Sequence, residues 1–367
     1  MNYQKAIQPS FTCSLEENFI SNGISLANKY DINSAYLSVL TNPNFKLPIS
    51  NIPKIVLVNN DANTFFQGLD IFDTNFAFIK AFITTNNLYK LPFFPLRNEK
   101  NEIYYTNCSM CCKNLLIEKC NHTYIERGFY THGYLNDFLY MKSIGYIINV
   151  NQIIYFESKH NNELDYLATQ LLKERKNKCD FIKMLSKSAA LIGIGRFAFN
   201  VDKNIKHQIN ILNNNQELSL SIETKLIENI ELFQNYIISF EKNKINNYEN
   251  AQISTRLNCS SGIFGLVSSF VRREIYDLYL WIEKYNDNFY KILRIDTDSL
   301  IIKCDKEDDF KYFENYISKS NFKYKKEMSN IKTLINYGRQ SHYYSNIEKN
   351  ILKVTGLRLS SYERKHI

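Results

Sequence analysis

An α+β fold with an antiparallel sheet is predicted by three features of this sequence. Two apolar runs, Lys291 to Arg294 and Leu300 to Cys304, flank the turn Ile295-Asp296-Thr297-Asp298-Ser299 and read as a strand hairpin. Phe264, Val267, Val271, Ile275, Leu278 and Ile282 mark the apolar face of a helix that leads into that hairpin. A second helical pattern runs from Glu163 to Arg196 through Leu164, Leu167, Leu171, Ile182, Leu185 and Ala189.

At 367 residues the chain is long enough for a substantial core and two or three subdomains. Its 45 Lys and Arg outnumber 37 Asp and Glu, for a net charge of +8. That excess suits a polyanionic partner, but an Asn-, Lys- and Ile-rich composition of the kind AT-rich coding produces inflates it. No run of about eighteen apolar residues occurs, and Met1 to Phe11 lacks the basic and apolar regions of a signal peptide. A soluble, intracellular protein without membrane partners is expected. Of eight cysteines, four fall between Cys108 and Cys120, a distribution that favours reduced thiols or a metal site over a disulfide frame.

Taken in order, residues 1 to 28 show no clear periodicity and form a short lead. Ser25 to Asp31 reads as the end of a strand, with Asn33 or Ser34 capping a short helix, which leaves Asp31 at the strand's C-terminal end. Strand-like segments begin at Lys54 and at Phe76, the latter running to Thr84 among Asn-rich loops. A helix from Leu135 to Ile144 and a strand from Gly145 to Phe156 follow. In the Glu163 to Arg196 pattern, Arg175, Lys183 and Lys187 lie eight and then four residues apart. A step of about 100° per residue rotates them by roughly 80° and roughly 40°, so a continuous helix carries them on one face. Asn200 to Gln252 is polar, with a helical interior from Ile222 to Phe240, and reads as a surface insertion. Beyond the hairpin come a helix near Phe310 to Ser318, strands around Phe322 to Met328 and Ile351 to Val354, and an exposed basic end.

Two carboxylates on one tight turn suit a divalent metal. Mg²⁺ prefers one or two carboxylates plus phosphate oxygens, and a pair of such ions can hold both the attacking and the leaving oxygen of a phosphoryl transfer. A turn in which Asp bonds only its own backbone has the same sequence. Asp31 adds a third carboxylate beside a helix start whose free amides suit an anion. The Arg175, Lys183 and Lys187 face suits a triphosphate or plain solvent. Cys108-x-x-Cys111 and Cys120-x-His122 offer four S or N donors to a tetrahedral structural Zn²⁺, with an unliganded thiol cluster as the alternative.

In combination these stretches resemble family B DNA polymerases. Tyr30-Asp31-x-x-Ser34-x-Tyr36, then Lys187 with Gly195-Arg196-Phe197, then Asp296-Thr297-Asp298-Ser299 are similar to motifs A, B and C, in that order. The likeness is closer to the protein-primed branch of linear plasmids, Polinton-like elements, adenoviruses and small bacteriophages. Leu91-Pro92, the Cys108 to His122 group, Glu126-Arg127, Gly145-Tyr146 and Tyr155-Phe156-Glu157 look like the Cys/His region of that branch. Gly338 to Tyr344 with Lys353-Val354-Thr355-Gly356 is similar to its primer-gripping segment.

The resemblance implies a palm, an antiparallel sheet with helices, with inserted helical fingers and insertion subdomains. Its parts are expected at 29–60 and 253–330 for the palm (motifs A and C), 61–157 for the Cys/His insertion and 158–205 for the fingers with motif B. A polar insertion at 206–252 and a primer-grip segment with a short thumb at 331–367 complete it. It further implies two Mg²⁺ or Mn²⁺ ions held by Asp31 and Asp298 with Asp296 assisting. Ile32, Ser34, Tyr36 as sugar gate, Arg175, Lys183 and Lys187 would meet a deoxynucleoside triphosphate. Thr297, Gln340, His342, Tyr344 and Lys353 would line the primer. Primer-template DNA and a terminal protein primer are the implied partners.

The chain departs from the family pattern at defined places. Motif B has Leu191, Ile192 and Ile194 where Asn, Ser and Tyr are usual, and Gln340, or Ser341 in an alignment shifted by one, stands where the primer grip carries Lys. Only 30 residues precede Asp31, so no proofreading exonuclease domain is expected in this stretch. Two other readings carry different signatures. A catalytically impaired homologue would act as a DNA- or terminal-protein-binding module, with salt-sensitive binding that survives loss of the aspartates. A zinc-dependent nucleic-acid binder would depend on Cys108 and Cys111.

Overall fold

A computed structural model describes residues 12–15, 18–21, 26–49, 54–57, 76–97, 103–114, 120–197, 261–284, 290–338, 341–346 and 350–353. The chain divides into two compact units, Pro9–Val39 with Phe270–Ile367, and Leu40–Ser269 with Met1–Gln8. The polar insertion from Asn200 to Gln252, the basic end and Gln340 lie outside the described residues.

The first unit is built on a five-stranded sheet in the order Thr12–Ser14, Tyr290–Asp296, Ser299–Cys304, Leu26–Ile32, Tyr324–Met328. Every neighbouring pair is antiparallel. The hairpin predicted around Asp296 supplies its centre. Ile292, Leu293, Ile295, Leu300, Ile301 and Ile302 are all buried, as central strands covered on both faces require. On one face Tyr30 meets Phe313, and Trp281 packs against Phe313 and stacks on Tyr316, the last two from the helix Glu307–Ser318. On the other, Ala27, Leu293, Ile301 and Met328 pack with Phe19, Leu334 and Tyr344. Those partners belong to a second sheet in the order Asn350–Lys353, Ser341–Ser345, Thr333–Gly338, Asn18–Ile20.

Four of these strands do not stand out in the sequence. Thr12–Ser14 and Asn18–Ile20 are three residues each, too short to display a period. Thr333–Gly338 and Ser341–Ser345 mix Asn, Gly, Ser and His with apolar residues. They become strands because Leu334 and Tyr344 bury against the first sheet, a tertiary effect.

The second unit holds a four-stranded antiparallel sheet in the order Lys54–Leu57, Tyr146–Tyr155, Ala77–Thr85, Phe129–Tyr134. The helix Leu135–Ser143 buries Phe138 and Met141, and Gly145, at φ +100°, turns the chain into the following strand. At Gly128 the backbone passes close to the Phe82 ring, which would have to move to admit a Cβ.

The single helix expected from Glu163 to Arg196 is two helices, Asn162–Glu174 and Asp180–Phe197. Asn161 caps the first by accepting from the Glu163 and Leu164 amides. Between them Asn177 Oδ1 accepts from the Cys179 amide at 3.0 Å, a local bond that competes with helical continuation. The expected face of Arg175, Lys183 and Lys187 is therefore broken. Arg175 closes the first helix, whereas Lys183 and Lys187 sit on the second. Among the described residues no helix is long and apolar enough to cross a membrane.

Candidate active site

Asp31, Asp296, Asp298 and Tyr36 all belong to the first unit, and strand register brings the acidic residues to one end of its sheet. Asp31 stands opposite Ser299, and Ser299 stands opposite Asp296. The Ile32 amide donates to the Asp298 carbonyl at 2.9 Å, which ties the hairpin turn to the strand carrying Asp31. Within the turn the Asp298 amide and the Ser299 hydroxyl both donate to the Asp296 carbonyl, at 2.8 and 3.2 Å. Thr297, at the tip, has φ 60°. A β-branched residue is disfavoured there, so the surrounding bonds hold the turn in a strained form.

Burial pushes the Asp298 carboxyl up to about 6, and the negative charge of Asp31 adds to it, with Asp296 a weaker contributor. Asp31 is also raised by burial, against the opposing pull of Lys325. The Asp298 carboxyl therefore lies within the field of Asp31, next to the backbone bond that joins their segments. A site that forces carboxylates together against their own repulsion is one that a cation relieves. Tyr36 is raised by burial and by the charge of Asp298, which places its phenol within the same field.

Three cations surround this cluster that sequence reasoning passed over. Lys325, on the edge strand, is register partner to Asp31, and its Nζ lies 2.9 Å from Asp31 Oδ2. Lys29 Nζ lies 2.6 Å from Glu327 Oε2. Arg294, 1% exposed, donates to Asn336 Oδ1 at 2.8 Å and feels the charge of Asp296. The Lys323-Tyr324-Lys325-Lys326 run was the available signal for the first of these, but a charge run on an edge strand ordinarily reads as solvent-facing.

The remaining expected residues are distributed as follows. The Ile32 side chain is buried, and its contribution to the site is its amide. Ser34, at φ 56°, donates to Asn33 Oδ1. His342 and Tyr344 are 1% and 3% exposed, on the inner face of their strand, whereas Tyr343 between them is half-buried on the outer face. Lys353 is paired through the backbone opposite His342. In the second unit Lys183 pairs with Asp180 at 2.8 Å, and Lys187 is exposed.

The second unit also gathers Cys108, Cys111, Cys120 and His122, whose ligand atoms all lie within 4.8 Å of one another. The Sγ atoms stand 3.5, 3.5 and 3.6 Å from His122 Nδ1. Zinc bonds of about 2.3 Å to sulfur and about 2.0 Å to nitrogen give a tetrahedral S···N edge of about 3.5 Å. Donor type, number and spacing all fit that ion. Cys108 and Cys111 come from the start of the helix Ser109–Asn114. Cys120 and His122 are set by the helix Tyr124–Arg127, whose Thr123 and Glu126 form a reciprocal capping box. Cys112 is buried but stands outside the group.

The first unit is thus an antiparallel sheet with helices that gathers acidic residues at one end, an α+β class of scaffold that the comparisons with known proteins specify. Residues 13–266 match DNA polymerase type B, organellar and viral, and the chain belongs to that family. Among solved structures it is similar to phi29 DNA polymerase complexed with primer-template DNA and incoming nucleotide substrates, with a TM-score of 0.56 and 12% identity over 99% of this chain and 56% of that one. Similarity to phi29 DNA polymerase complexed with single-stranded DNA has a TM-score of 0.54 at 12% identity, over 99% and 55% of the two chains. At such identity the likeness speaks for the fold, and this chain spans little more than half the length of that polymerase. No curated protein matches the chain significantly by sequence.

Proposed function

We propose that this chain is a DNA-directed DNA polymerase core that adds deoxynucleotides to a primer, with Asp31 and Asp298 as the principal ligands of two divalent ions. The observation that carries the reading is the placing of Asp298, in the hairpin turn, beside the strand end that carries Asp31 by the Ile32 to Asp298 backbone bond, with the Asp31 charge raising the Asp298 carboxyl. Bound Mg²⁺ or Mn²⁺ would lower the cost of charge gathering on the entering and departing oxygens. The protein's own part is to fix the carboxylates, to set Tyr36 beside them where its ring can crowd a ribose 2′-hydroxyl, and to present cations to the triphosphate.

In this reading the unit of Pro9–Val39 and Phe270–Ile367 is the palm with its primer-grip strands, and the helices Asn162–Glu174 and Asp180–Phe197 form the fingers. By their likeness to motif B and its surroundings, Lys187, Lys183 and Arg175 are the candidate triphosphate-binding cations. Primer-template DNA is the substrate, and family resemblance favours a terminal protein as primer. The Cys108, Cys111, Cys120 and His122 group holds a structural Zn²⁺ in the insertion between motifs A and B.

Primer extension with Mg²⁺ or Mn²⁺ tests this, run beside Asp31→Asn and Asp298→Asn. The wild-type chain extends the primer and both variants lose at least about a hundredfold, the scale of removing one group that stabilises transition-state charge. A wild type that extends no further than the variants removes the enzyme reading. The apolar Leu191, Ile192 and Ile194 in motif B favour a second reading, a binding module that has lost base-pair selection. It predicts salt-sensitive primer-template binding that is the same in wild type and in both aspartate variants.

A further inference from the structure

We propose that Lys325 is a resident counterion of the metal site, occupying Asp31 until a divalent ion arrives with a nucleotide; this rests on reading Asp31 and Asp298 as metal ligands. The ammonium lies 2.9 Å from Asp31 Oδ2, on a carboxylate that the proposed metal site would use. The contact is built into the fold. Tyr324–Met328 pairs with Leu26–Ile32 in a register that sets Lys325 opposite Asp31, and side chains of directly paired residues share a face.

Neighbouring cations are engaged elsewhere, Lys326 with Glu314 at 2.6 Å and Lys29 with Glu327 at 2.6 Å. The two ends of the Lys325–Asp31 pair also differ in freedom. Asp31 is 18% exposed and held within the sheet, whereas Lys325 is 47% exposed on an edge strand. The lysine can therefore swing away while the carboxylate stays in place.

With the ammonium on Asp31, one of the negative charges that attract a bare divalent ion is neutralised. A cation carried by a triphosphate is less affected, because the phosphates supply further oxygens to the metal and a new anionic partner for the displaced ammonium. Lys325 thus weakens empty-site metal binding and favours loading of metal together with nucleotide. It is a positioning and selectivity residue, distinct from the ligands themselves.

The test is Mn²⁺ binding to the full chain, followed by electron paramagnetic resonance, without DNA and with or without a deoxynucleoside triphosphate. Lys325→Ala is expected to bind free Mn²⁺ about three- to tenfold more tightly than wild type, the range for losing one competing, partly exposed ion pair. The gain shrinks when the nucleotide is present. Lys325→Arg, which keeps the charge, and Lys326→Ala, which leaves the contact intact, stay at the wild-type affinity. Unchanged or weaker Mn²⁺ binding by a Lys325→Ala protein with wild-type circular dichroism overturns the proposal, as does an equal gain in Lys325→Arg. A wild type that binds Mn²⁺ no better than Asp31→Asn overturns the metal-site reading itself, an outcome separate from the other two.

Discussion

Lys29 donates from Nζ to the Tyr344 hydroxyl at 3.1 Å, with its ammonium 5.2 Å from the centroid of the same ring. The strand that carries Asp31 is thereby pinned to the second sheet of its unit, two residues from the candidate metal ligand.

Burial alone would lower the Lys29 ammonium, but its hydrogen bond to Glu327 and its contacts with Tyr344 outweigh that and leave it raised above 10.5. A raised ammonium stabilises the fold fully below its ordinary value and loses that contribution only as pH climbs through the folded one. Lys29→Met should therefore cost about 1–3 kcal/mol, read as a lower urea midpoint at unchanged slope. The deficit should stay constant between about pH 7 and pH 9, below the ordinary lysine value. A variant with the wild-type midpoint would show that the pin contributes nothing.

Thr297 is the clearest strained residue of the site, with φ 60° at the hairpin tip. Left-handed backbone costs an ordinary L-residue about 1–2 kcal/mol, and Asn tolerates it best among side-chain-bearing residues. Thr297→Asn is expected to raise the melting temperature by about 2 °C, measured by calorimetry. A fall instead would mean that the threonine side chain is itself held by the fold.

Strand alternation separates the roles of two adjacent tyrosines. Tyr344 points inward to Lys29, and Tyr343 faces out. If this strand grips the primer, Tyr343→Ala should weaken primer-template binding by about threefold to tenfold, the lower part of the range for one aromatic contact with nucleic acid. Tyr344→Phe should leave binding unchanged while lowering stability by about 1 kcal/mol. Fluorescence anisotropy with a labelled primer-template decides this, and the reverse pattern would return the contact to Tyr344.

The thiol–imidazole group predicts metal content directly. Purified protein should carry about one zinc per chain by elemental analysis, and stripping it with a chelator should lower the melting temperature by several degrees, because site and local fold form together. Cys120→Ser should lose the metal and Cys112→Ser should keep it, since Cys112 lies outside the group. Zinc retained at full occupancy in Cys120→Ser would rule out this ligand set.

Local pattern was a sound guide where an element is long or its chemistry sits in a few consecutive residues. The hairpin around Asp296, the helix with Val267, Val271, Ile275 and Ile282 on its buried face, and the Leu135 helix with its following strand all stand where the sequence puts them. The helix expected from Glu163 to Arg196 failed because its apolar period carries across a break set by one Asn177 side-chain bond. Half of that expected apolar face is in fact outward, with Leu167 and Leu185 more than half exposed.

By itself the sequence determined which carboxylates, tyrosine and thiols are available, and their order along the chain identified the family they resemble. Only the tertiary structure decided which of them meet. Asp31 and Asp298 are 267 residues apart in the chain and are brought together by register between strands. The same pairing placed Lys325 on Asp31 and turned His342 and Tyr344 inward. Side-chain direction in a sheet follows from which strand lies beside which, and that depends on burial shared among distant segments that no local pattern encodes.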